Sequence, residues 1–135
     1  MTTDTSQIPA VERAAAAIDA FFDAWNAAED AAVAAAVAAA YHDDAVLKDP
    51  LASISGHEAI AGFIATVHAQ YPGYRFRRST EVDGHNDVIR FGWHLVSPAG
   101  EVTADGCEVA LVGDDGRLAY SVGFFSPPTP LESLG

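Results

Sequence analysis

The hydrophobic period of this chain changes once, at Pro72-Gly73, and no other feature narrows the fold as much. Before that point apolar residues recur every three or four positions, the spacing that lines one face of a helix; after it they alternate, the spacing of strands. At 135 residues the chain is one domain, with helices gathered in its first part and strands in its second. That segregation is the α+β class.

Ile8, Val11, Ala14, Ala15, Ile18, Phe21, Phe22 and Trp25 share the apolar face of a long helix, predicted from about Pro9 to Ala28. Glu29 and Asp30 open a second helix, at the end where the macrodipole favours acids. Val33, Val37 and Tyr41 mark its buried side, and its alanines let it lie close to its neighbours. His42-Asp43-Asp44 is expected to end it. Ala45-Val46-Leu47 comes next as a short strand, then the Asp49-Pro50 turn, with 51–54 a loop or a further short strand. Ser55-Gly56-His57-Glu58 has the S-x-x-E form of a capping box for a third helix, whose buried side is Ile60, Phe63, Ile64, Val67 and Tyr71. Beyond Pro72-Gly73, strands are predicted at about Tyr74 to Val82, Val88 to Val96, Val102 to Val112 and Leu118 to Phe125. The short turns between them imply an antiparallel meander. The single domain is expected over 9–126, flanked by loose tails at 1–8 and 127–135.

The charge balance excludes several function classes. Nineteen acids against seven bases give a net charge of −12, which argues against nucleic acid and anionic membranes as partners. The one basic cluster, Arg75, Arg77 and Arg78, is too small to reverse that. A single cysteine, Cys107, rules out an internal disulfide and a multi-thiolate zinc site, and it reads as an inert buried thiol. The first nine residues lack the basic and apolar regions of a secretion signal, and the alanine-rich run 31–40 is short of the roughly 20 residues a bilayer requires. A soluble, cytoplasmic protein is expected. There is no H-x-x-x-H or H-E-x-x-H pair, no phosphate-cradling glycine loop, no nucleophile elbow and no dinucleotide fingerprint. Neither a metal nor an organic cofactor is expected.

A long antiparallel sheet twists and curls, and helices laid on its concave face close it into a cone with one mouth. Such a cone suits an apolar ligand with a few polar contacts. Asp49 stands at the hinge between the two halves. As a general base it requires the raised pKa that an apolar cone supplies by desolvation; the plain alternative is a turn-forming Asp before proline. Glu108 interrupts an apolar strand, on the face opposite Cys107, Val109 and Leu111. Buried, it stays protonated and can donate to a developing oxyanion; turned outward, it is simply solvated. His94 shares a strand face with Arg90 and Gly92, away from Phe91, Trp93 and Leu95, and its alternatives are an exposed or interface position and a pocket role. Phe21, Trp25, Phe63, Tyr71, Trp93 and Phe125 are core residues by type, and in a cone part of the core lines the cavity.

Four stretches together resemble the NTF2-like superfamily, nearest its SnoaL-like and ketosteroid-isomerase-like branch. They are Phe21-Phe22-Asp23-Ala24-Trp25-Asn26-Ala27, Tyr41-His42-Asp43-Asp44-Ala45-Val46-Leu47-Lys48-Asp49-Pro50, Ser55-Gly56-His57-Glu58-Ala59-Ile60 and Asp114-Asp115-Gly116-Arg117-Leu118. The resemblance implies three N-terminal helices packed on a strongly curved antiparallel sheet. It places a general-base aspartate at Asp49 and a protonated oxyanion-hole acid near Glu108. The family's oxyanion-hole tyrosine falls near Phe21, which has no hydroxyl to donate.

The residues and the resemblance together lead us to expect a pocket for a small hydrophobic molecule and cofactor-free proton abstraction beside a carbonyl: isomerisation, cyclisation or dehydration. Asp49 and Glu108 are the expected catalytic pair; Phe21, Trp25, Phe63, Tyr71, Trp93, His94 and Phe125 are the expected contacts. A homodimer through the outer sheet face is expected as well. The competing expectation is a non-catalytic binding or dimerisation module. A third, cofactor-free hydrolysis, calls for an Asp–Arg–Asp set that Arg75, Arg77, Arg78 and Arg90 do not assemble.

Overall fold

The computed structural model describes residues 9–125, so the expected tails at 1–8 and 127–135 lie outside the described residues. Helices α1 (Ala10–Arg13), α2 (Ala15–Asn26) and α3 (Asp30–Ala40) come first, followed by β1 (Tyr41–Asp49), β2 (Ala52–Ser55) and α4 (His57–Gln70). The chain then runs through β3 (Arg75–Arg78), β4 (Asp83–His85), β5 (Val88–Val96), β6 (Val102–Val112) and β7 (Leu118–Phe125). The expected α+β cone is what forms, with helices laid on one curved sheet.

The sheet order is β2-β1-β7-β6-β5-β3, with β4 also on β5. The meander β5-β6-β7 is antiparallel, as its short turns predict, while β1 joins β7 in parallel. Register shifts interrupt the ladder in β1 between Tyr41 and Val46, between Leu95 and Val96, and between Leu111 and Val112. Such irregularities increase local twist and bend the strands. Every second residue of the meander faces the helices: Ile89, Phe91, Trp93 and Leu95 on β5, and Glu108, Ala110 and Val112 on β6, are all buried.

Three local expectations are corrected. The first helix breaks at Ala14 (φ −92°, ψ 0°), where the β6–β7 turn packs against it. Arg13 donates from Nε to the Gly113 carbonyl at 3.3 Å, and Gly116 (φ +84°) approaches the Arg13 carbonyl where a Cβ would stand only 2.5 Å away. The strand expected over Tyr74 to Val82 is confined to Arg75–Arg78, because Ser79 and Thr80 leave the ladder to bond Gly92, whose backbone they approach closely, and β4 forms only beyond the expected range, at Asp83–His85. The capping box does not form. Ser55 is held in β2 opposite Val46, and Gly56 (φ +86°) takes the cap position with no side-chain bond.

The second helix also stops earlier than expected, and Tyr41 begins β1. Helix α3 ends in a small cationic cap: Arg117 Nη1 donates to the carbonyls of Ala38 (3.1 Å) and Tyr41 (3.2 Å). His57 Nε2 donates to the same Tyr41 carbonyl at 2.7 Å, which requires the tautomer with its proton on Nε2. Donors at a helix C-terminus satisfy carbonyls that the helix leaves open, and the charge of Arg117 suits that end of the helix. Here they also pin the backbone of Tyr41, whose ring is fully buried.

Asn26 joins the helical layer to the edge of the sheet. Its Nδ2 donates to the Phe76 carbonyl at 2.9 Å, and its Oδ1 accepts from the Phe76 amide at 2.7 Å. Asn26→Ala leaves both backbone groups of β3 without these partners and is expected to cost about 2 kcal/mol. Urea unfolding, with hydrogen exchange at the Phe76 amide, checks it; wild-type stability and wild-type exchange would remove the tether. No helix among the described residues is long and apolar enough to cross a membrane.

Candidate active site

Three neighbouring strands lay Glu108, Gly123 and Asp49 side by side. Glu108 pairs with Gly123 across β6 and β7, and Lys48 pairs with Val122 across β1 and β7, which brings Asp49 beside Gly123. Gly123 supplies the space. A Cβ there would lie 2.5 Å from Glu108 Oε1 and 3.4 Å from the Asp49 Cβ. The two acids therefore share one depression in the sheet, over a residue without a side chain.

Asp49 is half-buried at the end of β1. Its Oδ1 accepts from the amides of Leu51 (2.7 Å) and Ala52 (2.9 Å), an Asx turn of the kind an Asp-Pro step favours. The same side chain lines an aromatic cavity above the sheet, so turn-forming and cavity-facing positions coincide in one residue.

Glu108 is 9% exposed, and of the two arrangements open to it in the sequence the buried one is observed. Burial pushes its pKa up to about 7, from an ordinary 4.5. The Ser121 hydroxyl, donating to Glu108 Oε2 at 2.7 Å, opposes that rise, and the charge of Asp49 adds to it. Near neutral pH a large share of Glu108 is thus an uncharged acid with a proton to give.

The cavity above the acids measures ≈ 170 Å³. Phe21 and Trp25 from α2 form its inner end beside Glu108; Phe63, Phe76 and Trp93 form its sides. Leu51, Tyr71 and Phe125 are exposed and mark the mouth. The rings meet edge to face in a chain: Trp25 with Phe63 (5.9 Å) and Phe76 (5.1 Å), Phe76 with Trp93 (5.5 Å), and Trp93 with Phe125 (5.8 Å). Edge-to-face packing suits the charge distribution of aromatic rings and holds the wall in one arrangement. Trp93 fits because its cross-strand partner is Gly106, where any Cβ would strike the indole.

His94 is not brought to this cavity. It lies on the outer face of β5, 3.4 Å from Arg77 Nη2, in a shallow polar groove with Ser79, Thr80 and Asp105. No arginine lines the cavity either, so the Asp–Arg–Asp set does not assemble there. Cys107 is half-buried on the outer face and not fully buried as expected; burial and the nearby Glu108 hold its thiol pKa up. Among the described residues no three His, Cys, Asp or Glu side chains gather as metal ligands.

Two neighbours of the acids escape a reading of the sequence for site residues. Ser121, fully buried, contacts Glu108 directly. Tyr41 stands behind it with its ring centroid 6.4 Å from that of Phe21. Burial, then the charges of Glu108 and Asp49, drive the Tyr41 pKa far up, so its phenol stays neutral. The one signal available was register: Ser121 lies two residues before Gly123, on the same face of β7.

A SnoaL-like domain model matches residues 18–121. Among solved structures, a candidate isomerase of the SnoaL-like family from Agrobacterium tumefaciens str. C58 is 30% identical, with a TM-score of 0.79 over 86% of this chain and 99% of that one. A candidate SnoaL-like polyketide cyclase from Jannaschia sp. CCS1 is 15% identical, with a TM-score of 0.69 over 93% and 92% of the two chains. An NTF2-like protein of unknown function from Exiguobacterium sp. 255-15 is 18% identical, with a TM-score of 0.66 over 83% and 99%. At those two identities the likeness is one of fold alone. No curated protein matches the sequence. The domain match over most of the chain, with the shared cone, shows that this protein belongs to the SnoaL-like family of the NTF2-like superfamily.

Proposed function

We propose that this protein binds a small hydrophobic carbonyl compound and moves a proton beside the carbonyl without a cofactor, as an isomerase, cyclase or dehydratase. The observation that carries the reading is Glu108: a buried acid, uncharged to about pH 7, next to a second carboxylate at the inner end of an aromatic cavity. Paired carboxyls with separated pKa values are the arrangement a proton shuttle requires. Asp49 removes the proton from the carbon next to the carbonyl, and the electron pair passes to the carbonyl oxygen as an enolate. Glu108 donates a hydrogen bond to that oxygen. The carbonyl re-forms when Asp49 returns the proton at another carbon, so no oxidant or reductant is consumed. Phe21 lines the cavity without a hydroxyl, so in this reading Glu108 is the donor assigned to the oxygen.

Cavity size supports a substrate part of about one ring, since an apolar cavity of ~150 Å³ accommodates benzene. Anything larger would extend through the mouth at Leu51, Tyr71 and Phe125. A homodimer through the outer sheet face is part of the same reading. Leu111 (41% exposed) and Phe124 (55% exposed) lie on that face and support it. A cytoplasmic location belongs to the same reading.

The test is conversion of cyclohex-3-enone to its conjugated isomer, followed by ultraviolet absorbance, with deuterium uptake from D₂O followed by NMR. The wild type is expected to catalyse both. Asp49→Asn is expected to lower the rate by about 10²-fold or more while leaving binding of the ketone within a few-fold. A second reading, a binding module without catalysis, is favoured by the two backbone amides that occupy Asp49 Oδ1. Saturable binding of the ketone with neither isomerisation nor deuterium uptake would select it.

A further inference from the structure

The proposed reaction uses the cavity side of Glu108; its core side carries a row of buried polar groups. Ser121 Oγ donates to Glu108 Oε2 at 2.7 Å. Beyond Ser121 is the Tyr41 hydroxyl, and beyond that the Trp25 indole. Both Trp25 and Ser121 are close enough to the phenol oxygen to pull its pKa down a little against the burial. Neither contact closes into a full hydrogen bond: among the described residues, Tyr41 Oη and Trp25 Nε1 are the buried side-chain atoms without a partner.

An indole N–H can only donate. A neutral phenol beside it therefore turns a lone pair toward Trp25 and its own proton toward the remaining neighbour, Ser121. Ser121, with the Tyr41 hydroxyl directed toward it, keeps its own hydroxyl proton on Glu108. The polar row Trp25, Tyr41, Ser121 ends on Glu108 Oε2 as an acceptor. A neutral carboxyl that accepts at Oε2 carries its proton on Oε1, the oxygen over Gly123 on the side of Asp49.

We propose that Ser121 is a positioning residue which, with Tyr41 and Trp25 behind it, keeps the Glu108 proton on Oε1, facing Asp49 and the cavity, and off Oε2, facing the core. The inference rests on the reading of Glu108 as a neutral donor. It supplies what that reading lacks, a reason for the proton to sit on the useful oxygen. The titratable groups that face Glu108 are Asp49 and Tyr41, both from β1. On its own strand Cys107 points to the outer face, and Asp105, paired with His94, borders both the outer groove and the cavity. Ser121 from β7, and Phe21 and Trp25 from α2, bring no ionising group.

The test is an NMR titration of the Glu108 carboxyl carbon in the intact, ligand-free protein, for the wild type, Ser121→Ala and Tyr41→Phe. A donor to a carboxyl favours its charged form, whereas an acceptor of its proton favours the neutral form. With Ser121 as donor, Ser121→Ala raises the Glu108 midpoint, by about one pH unit. Tyr41→Phe, which keeps the ring and removes only the oxygen that orients Ser121, shifts it the same way by less. An unchanged or lowered midpoint in Ser121→Ala overturns the assignment, because loss of a donor to the carboxylate can only raise it. Should Ser121→Ala not fold, a lowered midpoint in Tyr41→Phe overturns it equally. The two failures are separable: a wild-type midpoint near 4.5 removes the neutral donor itself, while a raised wild type with an unchanged or lowered variant removes only Ser121.

Discussion

Glu108→Gln is expected to remove a pH dependence of stability worth about 3 kcal/mol, the free energy that separates a carboxyl titrating near 4.5 from one titrating near 7. The sign depends on which state holds the proton. Folded, Glu108 keeps it to about pH 7; unfolded, it releases it near 4.5. Between those values the folded state binds more protons, so stability falls as pH rises. The contribution of protonated Glu108 is complete below pH 4.5 and is lost as pH passes through 7. Glutamine has the same shape, accepts the Ser121 hydroxyl equally well and never ionises. Wild type and variant should therefore differ little at about pH 4.5, with the variant gaining steadily toward about pH 8. Urea midpoints at a series of pH values measure this, and parallel curves for the two proteins would mean that Glu108 is solvated. In the isomerisation assay the same substitution replaces an acid with an amide, a weaker donor to an enolate, and a fall of about 10²-fold is expected.

Gly123→Ala is expected to cost about 1–3 kcal/mol and to lower turnover more than tenfold, although alanine is the smallest side chain that can be added. Its Cβ would stand 2.5 Å from Glu108 Oε1, well inside contact distance, and 3.4 Å from the Asp49 Cβ. Glu108 cannot yield easily, because Oε2 is held by Ser121 on the other side. Either that bond breaks or the sheet spreads between β6 and β1. In both cases the two carboxyls lose their relative placement. Shortening the obstructing residue separates this account from a general intolerance of β7: in a Glu108→Ala background, Gly123→Ala should cost little. Full additivity of the two substitutions in urea unfolding would sink the steric explanation.

Strand and helix existence was largely legible in the sequence because both depend on local periodicity. The meander strands Val88–Val96, Val102–Val112 and Leu118–Phe125 occur where alternation predicted them. What failed locally failed where tertiary contacts override local preference. Ser55 has the right neighbours for a capping box, yet pairing with Val46 takes it into the sheet. Tyr41 fits the buried stripe of the second helix, yet Arg117 and His57 hold its carbonyl at the point where the helix gives way to β1.

By itself the sequence determined the class of fold, the family resemblance, and which two acids lie among apolar residues. Those are properties of residue type and spacing, and they survive small errors in boundary. Only the tertiary structure decided how the acids are placed. Alternation says that Glu108 opposes Cys107 but not which face is inside; the helices covering one face of the sheet settle that. The same covering left His94 on the outer face and out of the cavity. The parallel seating of β1 against β7 brought Asp49 to Gly123, which no local pattern specifies. Ser121 and Tyr41 acquired a place behind Glu108 through the same register. Contacts between residues 41, 108 and 121 are made by strand order, and strand order is a choice among long-range pairings that a one-dimensional pattern leaves open.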